Sequence, residues 1–207
     1  MSAGVVLAIA VLPLAAAFEP ARLISSSLPR QPPNAVGWTE VMLDVKVDAR
    51  GIVGGIVPLR ATPSATPLVE SLVAAWRFRP AREGDDLTRS RVLVAAIFRP
   101  PQLHGGPAVG SPPRDLAAAS DEVPFPIQQV RPPYPPNVVG DGVVLVEVLV
   151  TPQGGVGRAR VIGAGTGFDP AALDAARQWV FRPARRADRP VPACAYLIFG
   201  FRAPLVA

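Results

Sequence analysis

The sequence has very few of the residues from which disulfides, metal sites and most catalytic centres are built. Among 207 residues there is one cysteine, Cys194, one histidine, His104, and one lysine, Lys46. A single cysteine cannot form an internal disulfide, and one cysteine with one histidine cannot supply a zinc cluster. His104 has no nearby acid with which to form a catalytic pair, and no nucleophile is accompanied by a base and an orienting partner. The sequence therefore predicts no catalytic residues, no metal site and no cofactor.

The sequence also lacks any run of basic residues. The net charge of +5 comes almost wholly from arginines that are scattered among acidic residues, so we expect a solvated surface and no binding of nucleic acid. Nearly half of the residues are apolar, which is typical of globular protein. Proline and glycine concentrate at 20–37, 100–113 and 124–142, where they mark connections between two blocks.

The amino terminus has the pattern of a signal peptide. The segment from Ser2 to Ala17 is apolar, is broken only by Pro13 and ends in three alanines that suit signal peptidase. It is shorter than the roughly 18–20 apolar residues that span a bilayer. We predict a signal peptide at 1–17 and export of the protein. Because the segment lacks Lys and Arg, an uncleaved membrane anchor is the alternative, and it would be the chain's sole contact with a membrane.

An internal repeat organises the rest of the chain. Residues 31–101 align with 134–204 at a constant offset of 103 without a gap. The repeat predicts two domains of one fold joined by a Pro/Gly/Ala-rich linker. We place the first domain at 28–101, the linker at 102–126 and the second domain at 127–207.

Within each copy the apolar pattern predicts a β-hairpin. In the first copy, polar and apolar residues alternate from Glu40 to Asp48, which is the pattern of a half-buried strand. The turn Asp48–Gly51 has glycine where a positive φ is needed, and 52–59 returns as the second strand.

A helix and a third strand are predicted to follow the hairpin. Thr66-Pro67 and Asp169-Pro170 each provide an N-cap residue followed by a proline suited to the first helical turn. Apolar residues then recur with helical spacing as far as Trp76 and Trp179, which we expect in the core. The predicted fold class is α+β: two tandem small domains of ββαβ order, each a three-stranded antiparallel sheet with one packed helix.

This topology predicts an exposed sheet edge. The helix crossover makes strand three antiparallel to strand one, so the spatial order in each sheet is 2-1-3 and strand three is an open edge. An open edge has unpaired backbone donors and acceptors, which proteins protect or use. We predict that the second copy binds an extended partner segment at this edge, through Ala193, Cys194, Ala195, Tyr196, Leu197, Ile198 and Phe199.

The second copy resembles the C-terminal domain of the TonB family. The resemblance is carried by Tyr134-Pro135, by the Gly-x-Val strand from Gly142 to Val156, and by the Leu-Asp-x-Ala-Ala helix with its Trp-x-Phe-x-Pro-Ala exit in 168–185. The first copy looks like a diverged relative. The resemblance implies a periplasmic location and strand addition by the TonB box of an outer-membrane transporter, which agrees with the edge argument.

Several alternatives remain open at this stage. The modules could instead form a structural adaptor that contacts another envelope protein or a second copy of the chain as a homodimer. Tyr134 is a candidate partner contact, although a Tyr-Pro pair at a domain entrance more often anchors the chain. The outward face of strand one is polar in the first copy but largely apolar in the second, through Val143, Leu145 and Leu149. That face either packs against the first domain or linker, or binds a partner.

Overall fold

The computed structural model describes residues 17–30, 38–100, 113–163 and 167–203, and it confirms the α+β class. The helices are α1 (Thr66–Ala74) and α2 (Asp169–Arg177). The strands are β1 (Phe18–Glu19), β2 (Arg22–Ser25), β3 (Thr39–Val47), β4 (Val53–Ala61), β5 (Arg77–Arg79), β6 (Ala81–Glu83), β7 (Asp86–Thr88), β8 (Ser90–Phe98), β9 (Arg114–Asp115), β10 (Phe125–Gln128), β11 (Gly142–Val150), β12 (Val156–Gly163), β13 (Val180–Arg182), β14 (Ala184–Arg186), β15 (Arg189–Val191) and β16 (Ala193–Phe201).

The long strands of both halves form one continuous sheet. Its order is β12-β11-β16-β8-β3-β4-β9, so each half contributes three neighbouring strands with its first strand in the middle. The two halves meet where β16 and β8 pair in parallel, from Ala195 opposite Leu93 to Gly200 opposite Phe98. The prediction of a separate sheet in each half is therefore wrong. Along this central seam, the β8–β16 pair, the backbone groups that each strand would otherwise leave unpaired form hydrogen bonds with the other strand.

The two helices lie on opposite faces of the sheet. Paired residues of neighbouring strands point to the same face, and successive residues alternate between faces. Val94 of β8 and Tyr196 of β16 belong to the cluster that contains the α1 residues Val69 and Val73. The intervening residues of both strands belong to the cluster that contains α2. Each half thus packs its helix on its own side while extending the core of the other half.

The seam is displaced by one residue from exact repeat symmetry. Equivalent residues of the two halves are 103 positions apart, yet Ala195 lies opposite Leu93, which is 102 positions away. If a two-fold axis along the strands related the two halves, equivalent side chains of β8 and β16 would point to opposite faces of the sheet. Residues paired across the two strands must point to the same face, so equivalent residues cannot pair. A shift of one residue pairs each residue with a neighbour of its equivalent, and that neighbour points to the same face.

Short strands that the pattern did not predict complete each half. β2 pairs with β5, and the equivalent β10 pairs with β13, so a short ribbon lies beside each helix. The indole N–H of Trp76 donates to the Ser27 carbonyl, and that of Trp179 donates to the Val130 carbonyl, again at equivalent positions. The structural repeat therefore begins before residue 28, and the ββαβ description omits these ribbons and the β6–β7 and β14–β15 hairpins.

The described part of the predicted linker belongs to the fold. β9 pairs with Arg60 and Ala61 at the end of β4, and the Leu116 N–H donates to the Leu59 carbonyl at 2.8 Å. Val123 is fully buried in the core on the α2 side. The segment thus adds a short strand to the β4 edge of the sheet.

Both helices begin one residue earlier than predicted. Thr66 and Asp169 are the first helical residues, and the N-cap positions are Ala65 and Phe168 without a side-chain cap. Neither helix of the described chain is long and apolar enough to cross a bilayer. Nearly all of the predicted signal peptide, together with His104, lies outside the described residues.

Candidate partner-binding surface

The strand predicted to bind a partner is not an open edge. β16 is antiparallel to β11 over its whole length and parallel to β8 over most of it, and every residue from Ala193 to Phe201 is buried. Our expectation of a free edge at residues Ala193–Phe199 is wrong, because the argument treated each half as if it folded alone. Partner binding by these residues stays a prediction, and it would require β8 to leave the sheet.

Two of these β16 side chains, Cys194 and Tyr196, lie deep in the core. The Tyr196 hydroxyl accepts the Leu23 N–H at 2.8 Å, and the ring packs edge-on against Trp76. Burial raises the pKa of Tyr196. Cys194 is also buried, and this desolvation raises the pKa of its thiol to about 12. A buried thiol with a raised pKa is a poor nucleophile.

Tyr134 anchors the entrance to the second half. Its hydroxyl lies 3.0 Å from the Val138 carbonyl and 2.8 Å from the Gly140 carbonyl, and its ring packs edge-on against Phe168. These contacts commit the hydroxyl to the fold, and partner contact by Tyr134 stays a prediction.

The apolar outer face of the second copy's first strand packs against the first half. Leu145 is fully buried in the cluster that contains α1, and Val143 and Leu149 pack against its margin. Of the two readings of this face, the structure shows contact with the first half.

The free edges of the sheet belong to the second strand of each half. β4 is partly covered, because β9 occupies one end of it, and it also contains Pro58. β12 pairs only with β11, and no strand of the described residues pairs with its other edge. β12 spans eight residues without proline, so within the described chain it is the longest uncovered run of strand edge.

A buried carboxylate links β12 to the β2–β5 ribbon. Glu147 on β11 is only 2% exposed, lies opposite Arg160 in the β11–β12 register, and accepts a 2.8 Å hydrogen bond from its guanidinium. It also pairs with Arg22 of β2. Burial alone would raise the pKa of Glu147, but the hydrogen bonds from Arg160 and Arg22 outweigh it and lower this pKa. The carboxylate therefore stays ionised and holds the ribbon against the sheet.

Above this carboxylate is a basic cleft of about 180 Å³. It lies between the ribbon and β12 and is lined by Arg22, Leu23, Ile24, Arg79, Arg158 and Arg160. We did not predict this site from the sequence. The alternation of Arg158 and Arg160 on one strand was a usable signal, but nothing local in the sequence placed the other two arginines beside them.

The described residues contain no group of three or more His, Cys, Asp or Glu side chains positioned to hold a metal ion. The surface offers an exposed strand edge and an arginine-lined cleft, and both features are suited to contact with another polypeptide.

The family model for the C-terminal domain of the Gram-negative bacterial TonB protein matches residues 131–202. This stretch contains α2 and the strands from β11 to β16. It is a TonB C-terminal domain. Domains of this family are protein-interaction domains of the periplasm, and the match covers 72 of the 207 residues of the chain. No curated protein matches the chain.

Proposed function

We propose that this chain is a periplasmic TonB-like protein that binds an extended segment of an outer-membrane transporter, such as a TonB box, by strand addition. The observation that carries the proposal is the uncovered edge of β12 inside the TonB C-terminal domain. Strand addition needs a row of free backbone donors and acceptors on one side of a strand, and β12 has them. Such binding supports transport across the outer membrane.

The first half is proposed to be a diverged copy of the same module. Its support is the constant repeat offset, together with the matched hydrogen bonds of Trp76 and Trp179 to carbonyls 49 residues earlier in each half. In this arrangement β8 occupies the edge of β16, and the partner is directed to the opposite side of the TonB C-terminal domain, at β12.

A structural adaptor is the second candidate function. The β8–β16 seam favours it, because it joins two TonB-like modules edge to edge within one chain. An adaptor would use the same edge-to-edge strand pairing between chains. In a homodimer, β12 of one copy would pair with β12 of the other. Concentration-dependent light scattering of the full chain separates this candidate from a monomeric peptide binder.

Peptide titration tests strand addition directly. A labelled transporter-box peptide should bind the full chain and protect alternate backbone amides of β12 from hydrogen exchange. Two versions of the peptide, N-methylated at successive residues, serve as matched controls. Only amides that face β12 donate to it, so one version should lose binding and the other should keep it. Equal binding by both versions would exclude strand pairing.

The proposed location depends on removal of the amino-terminal segment. We propose that the mature protein begins near Phe18 and is free in the periplasm, with the anchored form as the alternative. Intact mass spectrometry of protein from envelope fractions decides between the two, because an anchored form keeps Met1.

A further inference from the structure

We infer that the segment bound at β12 is acidic, with carboxylates at alternate positions that enter the arginine-lined cleft. This inference rests on the proposed strand addition and adds the chemistry of the partner to it. The transporter or other envelope protein is thus recognised by the charge pattern of a short extended segment.

The charge of the cleft is the first support. Four guanidinium groups line it, and the one carboxylate that they contact, Glu147, is shared by Arg22 and Arg160. Arg79 and Arg158 are exposed and have no side-chain partner in the described residues. An excess of positive charge in a concave site attracts anionic ligands and raises the rate at which they associate.

The spacing of the arginines is the second support. Arg158 and Arg160 are two residues apart on β12, so they share a face and lie about 7 Å apart. An added strand would present its own alternate side chains to that face at the same interval. An extended peptide with carboxylates at alternate positions could contact both arginines of β12. A single small anion could contact only one part of the cleft.

The chain itself shows the same arrangement on the equivalent edge. β9 adds to β4 as a short antiparallel strand, and Asp115 on β9 accepts a 2.7 Å hydrogen bond from Arg60 on β4. An acidic residue on an added strand therefore already pairs with an arginine on the second strand of the first half. β12 lacks such an added strand within the described residues.

The arginine cluster occurs at only one of the two equivalent places in the fold. At the other place, between the β10–β13 ribbon and β4, the positions equivalent to Arg22, Arg158 and Arg160 are Phe125, Gly55 and Val57. The fourth equivalent is Arg182, and it pairs with Asp121. The arginine cluster is therefore absent beside β4, the sheet edge that the chain partly covers itself.

Three peptides of equal length test the inference on the full chain. One alternates Asp with Thr and Val, a second has Asn in place of every Asp, and a third has Lys. We expect the acidic peptide to bind roughly tenfold more tightly than the Asn peptide, and the Lys peptide to bind most weakly. Raising the salt concentration should reduce this difference, because exposed charge pairs are screened.

Charge reversal locates the site. Arg158→Glu and Arg79→Glu should each weaken the acidic peptide by roughly tenfold and leave the Asn peptide nearly unchanged. Arg189→Glu, on an exposed position of β15 away from the cleft, makes the same charge change and should have little effect. Circular dichroism and thermal melts establish that each variant is folded.

Each outcome has a distinct meaning. If all three peptides bind equally, strand addition stands and the acidic preference is wrong. If none binds, the proposed function fails at this edge. If the acidic peptide binds but Arg158→Glu has no effect, its site is elsewhere. That result overturns the inference, and aggregation of the same variant would show that the arginines of β12 keep sheet edges apart.

Discussion

Asp44 and Glu147 occupy equivalent positions in the two halves, but the fold shifts the pKa values of their carboxyl groups in opposite directions. Burial raises the pKa of Asp44, and its partner Arg91, at 2.5 Å, only partly opposes this effect. Burial also acts on Glu147, but two arginines outweigh it and lower its pKa. The difference arises because Glu147 has two guanidinium partners, whereas one oxygen of Asp44 is buried without any hydrogen bond.

This difference predicts opposite pH dependence in two variants. The stabilisation from Glu147 is present above about pH 4.5 and is lost as the pH falls through its lower folded value. Glu147→Gln should therefore cost about 2 kcal/mol at pH 7, because it leaves two arginines unpaired, and much less at pH 3. The burial cost of Asp44 is present at neutral pH and is relieved as the pH falls through its raised value.

The matched variant is Asp44→Asn. It should cost little at pH 7 or stabilise the protein, since Arg91 keeps Glu122 as a partner at 3.2 Å. Urea unfolding of both variants and the parent at pH 7 and pH 3 measures these differences. A loss for Glu147→Gln that is the same at both pH values would contradict the assignment.

The turn glycines Gly51 and Gly154 should not tolerate alanine. Both have a φ of at least +80°, and an added Cβ would lie 1.8 Å from the Phe78 carbonyl oxygen or 2.1 Å from that of Phe181. Backbone atoms cannot move away cheaply, so each substitution should cost more than about 2 kcal/mol. Gly54→Ala is the control, because no atom lies within 4 Å of its Cβ position. Thermal melts compare the three variants.

Removing the Tyr196 hydroxyl should destabilise the protein more than removing that of Tyr134. In Tyr196→Phe the half-buried N–H of Leu23 loses its acceptor, at a cost of about 1–3 kcal/mol. In Tyr134→Phe the two carbonyls are partly exposed and can accept from water, so we expect less than about 1 kcal/mol. Chemical denaturation gives both values. If both variants lose the same unfolding free energy, the hydrogen bond from Leu23 to Tyr196 does not stabilise the protein more than those of Tyr134.

Proline substitutions should destabilise an interior strand of the sheet more than an edge strand. Ile198→Pro removes a backbone donor from a strand that is paired on both sides and truncates a buried side chain, so it should cost more than about 3 kcal/mol. Val161→Pro should be tolerated better, because its repeat equivalent on β4 is already Pro58. If both variants melt near the parent temperature, β16 is not an interior strand.

Much of the local structure was predictable from the sequence because its causes are local. Alternation from Glu40 to Asp48 indicated a strand, and the turn at Gly51 indicated a hairpin. Proline at positions 67 and 170 indicated where the helices begin. These signals depend on residues within one or two turns of each other, and the structure retains them with shifts of about one residue.

The seam and the arginine cleft were not predictable in the same way. No local pattern predicts that β8 and β16 pair. Each has the apolar composition of a buried strand, and that composition does not identify the neighbouring strand. Arg22 and Arg160 meet at Glu147 only because the sheet and the ribbon bring together residues more than 120 positions apart. The wrong expectation of an open edge at Ala193–Phe199 has this origin.

The one-residue displacement between β8 and β16 gives the duplicated chain a property that a pair of identical subunits would lack. Two separate, identical modules joined by parallel edge strands must break their symmetry, because one has to slide relative to the other, and either could do so. Linking the copies in one polypeptide fixes which of them is displaced. Residues on the two sides can then diverge independently, as Glu147 with its two arginines and Asp44 with its single one already have.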